Sequence, residues 1–204
     1  MTDRNILKKH IINQTAMLFL EKGYTKTTTK EIAKYSNITE GALFRTFKDK
    51  ESIYLEIISE IVNKKILSLN NVNDYFKLLV ILMNESNQNQ IIKDLLIQLF
   101  SLNKTKKYLN EEIAKFYYNK LNKTTLKEYY ELEVALSGIY LSYLNLETNM
   151  YFDIDYKINR YIEIISLLIQ EENININSNI NYKNDFNRIY NVLESYFNQK
   201  GGDN

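Results

Sequence analysis

The scarcity of helix-breaking residues is the feature that most constrains how this chain can fold. Among its 204 residues there is no proline, and there are only five glycines. Hairpins, bulges and tight turns next to strands depend on these two residue types. Most apolar residues, chiefly leucine and isoleucine, instead recur at helical spacing. The sequence therefore predicts an all-α protein.

Composition also excludes several kinds of functional site. The chain has no cysteine, and its one histidine is His10, which we interpret as a surface residue. Thiolate chemistry, disulfides and histidine or cysteine metal sites are thereby excluded. No stretch reaches the roughly 20 apolar residues of a membrane span, and the N-terminus lacks the apolar region of a signal peptide. We expect a cytoplasmic protein that is not an enzyme, with no cofactor, no metal and no membrane partner.

Charge is distributed unevenly along the chain. Residues 1–50 hold ten basic and five acidic side chains, whereas residues 51–204 hold sixteen and twenty. The first fifty residues thus carry a net charge of +5 and the remainder −4. This pattern indicates that only the N-terminal part meets a polyanion.

Start and stop signals divide the N-terminal part into short helices. Gly23 ends a first helix over about 6–22, and Thr28 with Glu31 has the spacing of a capping box that begins a second. The other signals are Asn37 in a left-handed turn, Thr39 at the start of a third helix to about Phe47, and Asp49 before a helix over about 50–67. Two short helices joined by a tight turn predict a helix-turn-helix domain at residues 1–50, which we call the head.

The third helix carries side chains suited to the major groove of double-stranded DNA. Arg45 matches guanine, Glu40 matches cytosine, and the methyl groups of Thr39 and Ala42 match that of thymine. A glycine inside a helix costs about 1 kcal/mol, so Gly41 indicates close approach of another backbone. With hydroxyls and cations expected at phosphates, the predicted DNA contacts are Thr27, Thr28, Thr39, Glu40, Gly41, Ala42, Phe44, Arg45, Lys48 and Lys50.

The run from Gly23 to Tyr54 closely resembles the N-terminal domain of the tetracycline-repressor (TetR/AcrR) family. Three departures from the usual residues of the family concern four positions: Asn37 replaces the turn glycine, Phe44 replaces a tyrosine whose hydroxyl often binds phosphate, and Arg45-Thr46 replaces His-Tyr. The matching positions are Gly23, Tyr24, Thr27, Thr28, Ile32, Ala33, Ile38, Thr39, Gly41, Leu43, Phe44, Phe47, Lys50, Glu51 and Ile53.

The resemblance implies a homodimer in which the third helix of each subunit reads half of a palindromic operator. It further implies that residues 51–204, which we call the body, bind a small-molecule inducer and form the dimer interface. The function expected is a ligand-responsive DNA-binding transcriptional regulator, a repressor released from its operator by the inducer. The alternative is an all-α interaction or scaffold protein that keeps the domain without specific operator binding.

Helical periodicity in the body predicts helices over 73–86, 89–103, 106–122, 125–149, 155–171 and 183–198, with a linker rather than a strand over 173–181. The helix over 125–149 is apolar on two sides, so one side is free for a second subunit. By resemblance the dimer contacts are Val134, Gly138, Leu141, Ile158, Ile162, Ile165 and Ile169. A helix pair buried within one subunit is the alternative.

Apolar and aromatic residues on several body helices are at positions that suit a ligand cavity. The candidates are Phe76, Leu79, Met83, Leu96, Phe100, Phe116 and Tyr140. Plain core packing is the alternative for each of them. The final helix, 183–198, is expected either to cap the body or to widen the dimer interface.

Overall fold

A computed structural model describes residues 3–121, 124–146, 153–169, 181, 183–188 and 190–191. Every regular element in these ranges is a helix, which confirms the predicted all-α class. The helices are α1 (Asp3–Lys22), α2 (Thr29–Tyr35), α3 (Glu40–Thr46), α4 (Lys50–Ile61), α5 (Val72–Ser86), α6 (Gln90–Ser101), α7 (Asn103–Leu121), α8 (Leu126–Asn145) and α9 (Ile154–Ile169). A further helical stretch covers 183–188.

The start and stop signals predicted in the head are confirmed by the backbone, although α1 begins at Asp3 rather than at about residue 6. Gly23 has φ +84° and Asn37 has φ +54°, so both take the left-handed conformation that ends a helix or makes a tight turn. Thr28 and Glu31 form the capping box of α2. The side chains of Thr39 and Asp49 accept hydrogen bonds from the backbone N–H groups of the first turns of α3 and α4.

Two helix ends differ most from the prediction. The helix predicted over 125–149 ends at Asn145, because Leu146 has an extended backbone. The helix predicted over 50–67 is α-helical only to Ile61 and continues as a π-helix, Val62–Ile66, in which Leu67 N–H bonds to Val62 five residues back. Most of the predicted linker at 173–181, and the last part of the predicted helix 183–198, lie outside the described residues.

The head has its own apolar core beneath α3. Ile11 of α1, Ile32 of α2 and Leu43 of α3 are fully buried. An aromatic group of Phe19, Tyr24 and Tyr54 continues this core onto α4, with ring centroids 5.1–5.6 Å apart. Because α4 packs on both α1 and α7, this core is continuous with that of the body.

The body core is built by α5 to α9 around buried aromatic side chains. Phe76, Tyr117, Tyr140 and Tyr161 are among its largest fully buried residues. Helix α8 packs on α6, α7 and α9. In the described part of the chain, no helix is long and apolar enough to cross a membrane.

Polar contacts join the head to α6 and the start of α7. The Asp94 carboxylate accepts hydrogen bonds from the backbone N–H of Thr25, at 2.8 Å, and from the Thr25 hydroxyl. Beside this contact, within the body, the Tyr54 hydroxyl of α4 donates to the Leu95 carbonyl of α6 at 2.8 Å. At the other end of α6, Lys104 lies 2.7 Å from a carboxylate oxygen of Asp49. Burial opposes ionisation of Asp49, but hydrogen bonds from Lys104 and Ser52 outweigh it and lower its pKa to about 2.

Gly23 is required at its position for two reasons, so Gly23→Ala should destabilise the protein. An alanine would be strained at φ +84°, and its Cβ would lie 2.7 Å from Asp94 Oδ2. We expect the free energy of unfolding in urea to fall by about 1–2 kcal/mol from the backbone strain alone.

Gly41→Ala is the matched control. A Cβ at Gly41 would approach only Thr39 Oγ1, at 3.9 Å, and the residue is helical. Its free energy of unfolding should stay the same or rise by up to about 1 kcal/mol. Equal destabilisation by the two substitutions would show that Gly23 has no special role.

Candidate nucleic-acid interface

Helix α3 is fixed on the head by its inward side chains and by the turn before it. Leu43 and Phe47 are buried in the head core. In the turn, the backbone N–H of Ile38 bonds to the Ala33 carbonyl of α2 at 2.9 Å. These contacts on one side leave the opposite side of α3 facing outward.

Most of the residues predicted to contact DNA are on this outward side or beside it. The exposed ones are Thr28, Thr39, Glu40, Gly41, Phe44, Arg45 and Lys48, and Ala42 is half-buried. Glu40 accepts a hydrogen bond from the Thr29 hydroxyl at 3.2 Å, which brings the starts of α2 and α3 together. The residues therefore form one continuous surface, which we call the α3 surface.

Two of the residues predicted to contact DNA bond to the protein backbone instead. Thr27 is 1% exposed, and its hydroxyl donates to the Gly23 carbonyl at 2.7 Å. The Lys50 ammonium donates to the carbonyls of Tyr24 and Thr27 at 2.9 and 2.8 Å and lies 4.1 Å from the Tyr24 ring centroid. Burial lowers the pKa of Lys50. Both side chains hold the α1–α2 turn in place, because their polar groups bond to its backbone.

The α3 surface has a surplus of positive charge. Arg45 and Lys48 are exposed on and just after α3, against one exposed acid, Glu40, and Lys26, Lys30 and Lys34 are exposed on and beside α2. The nearby carboxylate of Glu31 is paired with Lys22, and hydrogen bonds from Lys22 and Thr28 lower its pKa to about 2. Such a surface suits a polyanion.

Some of the predicted dimer contacts are buried in the chain's own core, which corrects the sequence prediction. Ile158, Ile162 and Ile165 form the inward stripe of α9, and the last is 0% exposed. An apolar stripe shows which side of a helix is buried, but not whether the partner is the same chain or another. The exposed apolar residues of α9 are Tyr156, Leu167 and Leu168. The side chain of Ile169 lies outside the described residues.

The residues of α8 that are predicted to contact a second subunit are accessible in the single chain. Val134 is exposed, and Gly138 and Leu141 are half-buried. A Cβ at Gly138 would meet no atom within 4 Å, so no helix in the described part of the chain requires a glycine there.

The seven residues predicted to line a ligand cavity are all buried in the body core. Tyr140 also donates its hydroxyl to the Leu79 carbonyl at 2.8 Å.

A buried carboxyl group at Glu133 was missed by the sequence analysis. Glu133 of α8 is 2% exposed and accepts hydrogen bonds from the hydroxyls of Tyr117, at 2.8 Å, and Tyr75, at 3.4 Å. Burial raises its pKa to about 8 against the opposite effect of these hydrogen bonds. The helical spacing of Tyr129, Glu133, Leu136 and Tyr140 was the available signal, since it places the acid on the buried side.

Comparison with known proteins assigns the chain to a family. Residues 11–57 match the family model "Bacterial regulatory proteins, tetR family". The transcriptional regulator QacR of Staphylococcus aureus strain Mu50 is 30% identical over 184 residues, which cover 90% of this chain and 79% of QacR. The chain belongs to the TetR family.

Other transcriptional regulators match over shorter lengths. YvkB of Bacillus subtilis strain 168, an HTH-type transcriptional regulator, is 40% identical over 26% of this chain and 28% of its own length. IcaR of S. aureus strain Newman, a negative transcriptional regulator of the biofilm operon icaADBC, is 36% identical over 34% of this chain and 39% of its own. These relatives are transcriptional regulators, not enzymes.

Lys50→Met should test the structural role of the ammonium group. The substitution keeps an unbranched side chain but leaves two backbone carbonyls without their donor, so we expect the free energy of unfolding to fall by about 1–3 kcal/mol. Lys48→Met is the control, because Lys48 is exposed and should change stability by less than about 0.5 kcal/mol. Urea denaturation measures both, and an unchanged Lys50 variant would contradict the assigned role.

The buried Glu133 carboxyl should make stability depend on pH. Its folded pKa of about 8 is above the ordinary 4.5, so the unfolded chain ionises first as pH rises. The contribution of Glu133 to the free energy of unfolding is therefore fully present below pH 4.5 and is lost as pH rises to 8. The difference in free energy of unfolding between Glu133→Gln and the wild type should therefore shift in favour of the variant as pH rises over this range, by up to ~1.4 kcal/mol per pH unit.

Glu131→Gln is the control for this titration, because Glu131 is on the same helix and exposed. The difference between that variant and the wild type should stay constant from pH 5 to 8. The assignment is wrong if Glu133→Gln gives the same flat difference.

Proposed function

We propose that this protein is a DNA-binding transcriptional repressor that acts in the cytoplasm as a homodimer and leaves a palindromic operator when a small-molecule inducer binds. The α3 surface carries this proposal. It combines a short helix anchored by buried Leu43 and Phe47 with exposed groups that match base edges and phosphates. The relatives add support, since IcaR is named as a negative regulator.

The exposed residues divide into base-reading and phosphate-binding groups. Arg45 is assigned to guanine, and Thr39, Glu40 and Ala42 to neighbouring base edges. Thr28 and Lys48 are assigned to phosphates. Thr27 and Lys50 act indirectly, because they hold the turn that precedes α2.

The inducer site is assigned to the body core around Glu133. Burial of an acid costs folding free energy, and acids with perturbed pKa values concentrate at functional sites. The Tyr161 hydroxyl is also buried, with no hydrogen-bond partner among the described residues. We assign Phe76, Leu79, Met83, Leu96, Phe100, Phe116 and Tyr140 to the apolar surroundings of this site.

The dimer interface is assigned to the outward side of α8. Val134, Gly138 and Leu141 are spaced to share one side of that helix, and the space over Gly138 admits a second helix. The head, residues 1–50, and the body, residues 51–204, then divide DNA binding from ligand binding and dimerisation.

Random-site selection on the full-length protein, followed by gel shift at low salt, tests the proposal. The expected result is a palindromic site bound specifically over unrelated DNA. Failure to select any sequence would overturn the proposed function as a regulator. It would favour the alternative, an all-α interaction or scaffold protein. If a site is found, a thermal-shift screen of small molecules on wild type and Glu133→Gln tests the assigned inducer site.

Two substitutions should separate base reading from phosphate binding. Arg45→Ala should cost about 1–3 kcal/mol of binding free energy and relax the preference at one base position per half-site. Lys48→Ala should weaken binding to all DNA sequences equally. It should also reduce the slope of the logarithm of the binding constant against the logarithm of salt concentration by about one for each phosphate that is no longer neutralised. Exposed Lys127 of α8 provides the control, as Lys127→Ala should change neither property. A uniform loss of affinity with Arg45→Ala would make Arg45 a phosphate contact instead.

A further inference from the structure

Phe44 is an aromatic side chain on the outward side of α3 with 50% of its surface exposed. Its neighbour Leu43 supplies the buried anchor of that helix, so Phe44 is not needed for the head core. Isolated apolar residues are common on protein surfaces and by themselves mean little. The position of Phe44 within the α3 surface is what requires an explanation.

The chemistry of phenylalanine limits what this residue can do on DNA. Its side chain has no hydrogen-bonding group, so it can bind neither a phosphate oxygen nor a polar base edge. The major groove presents one prominent apolar group, the C5-methyl of thymine. An exposed phenyl ring on a major-groove helix therefore matches thymine.

The surroundings of Phe44 leave room for such a contact. Side chains on a helix lean toward its N-terminus, so the Phe44 ring projects over the turn that contains Glu40 and Gly41. Gly41 has no side chain, and even an added Cβ would touch only Thr39 Oγ1 at 3.9 Å. Glu40 is bonded to the Thr29 hydroxyl at the start of α2. No side chain from Gly41 therefore stands beside the exposed Phe44 ring to block a thymine methyl.

We propose that the ring of Phe44 packs on the C5-methyl of one thymine in each half-site, which makes it a specificity-determining residue for thymine at that position. This inference rests on the proposed operator binding. It gives the Phe44 ring a base-reading role that needs no hydroxyl.

Replacement of thymine by deoxyuridine tests the inference, because only the methyl group is removed. Each thymine of the selected operator is replaced in turn, in both half-sites, and affinity is measured with full-length protein. At one position the loss of a buried methyl should weaken wild-type binding about three- to five-fold per half-site. Phe44→Ala should bind the thymine and deoxyuridine operators equally at that position.

Three further variants keep the result interpretable. Phe44→Tyr retains the ring and should retain the thymine preference. Tyr35→Phe changes an exposed aromatic residue on α2 and should leave the preference unchanged. Ala42→Gly removes the methyl group of a residue that is itself assigned to a base edge, so its effect should fall on a different base position from that of Phe44→Ala.

The outcomes separate this inference from the function on which it rests. A thymine preference that persists in Phe44→Ala, or that disappears only in Ala42→Gly, would overturn the assignment to Phe44. A wild-type protein insensitive to every thymine methyl would overturn it as well. Failure to bind any operator specifically would overturn the proposed function itself. Circular dichroism and urea denaturation establish that each variant is folded.

Discussion

The ammonium group of Lys50 is held by the carbonyls of Tyr24 and Thr27, and the position of the α3 surface depends on this interaction. Lys50 begins α4, whereas the two carbonyls belong to the turn between α1 and α2. The same turn is closed from within by the Thr27 hydroxyl. Helix α2 starts immediately after this turn, and α3 follows α2. A displacement of the turn would therefore also displace the outward residues of α3.

The features that the sequence predicts well are local. Gly23, Asn37 and the Thr28–Glu31 box act through the backbone of adjacent residues, so their type and spacing suffice to place the helix ends. The outward side of α3 follows in turn, because Leu43 and Phe47 define its buried side. The shorter α8 and the π-helix after α4 depend on backbone geometry that helical periodicity does not encode.

The features that the sequence misplaces depend on tertiary neighbours. Lys50 has the positive charge expected of a phosphate contact, and only the folded turn shows that its ammonium group points inward. The stripe of Ile158, Ile162 and Ile165 shows that one side of α9 is buried, but burial in the same chain and in a partner have the same sequence pattern. Glu133 was overlooked because an acid is normally read as exposed, although its spacing on α8 placed it among buried residues.

The contact of Asp94 with the Gly23–Thr25 turn has a consequence for how freely the head and body can be recombined. The sequence predicts the head as a separate domain. In the structure, however, the Asp94 carboxylate of α6 accepts a hydrogen bond from its first turn, and Asp49, which caps α4, is paired with Lys104 of α7. A chimera that joined this head to the body of another regulator at residue 50 would break both pairs at once. Exchange of DNA specificity between such proteins therefore requires that the outward residues of α3 be transplanted alone, or that Asp94 and Lys104 travel with the head.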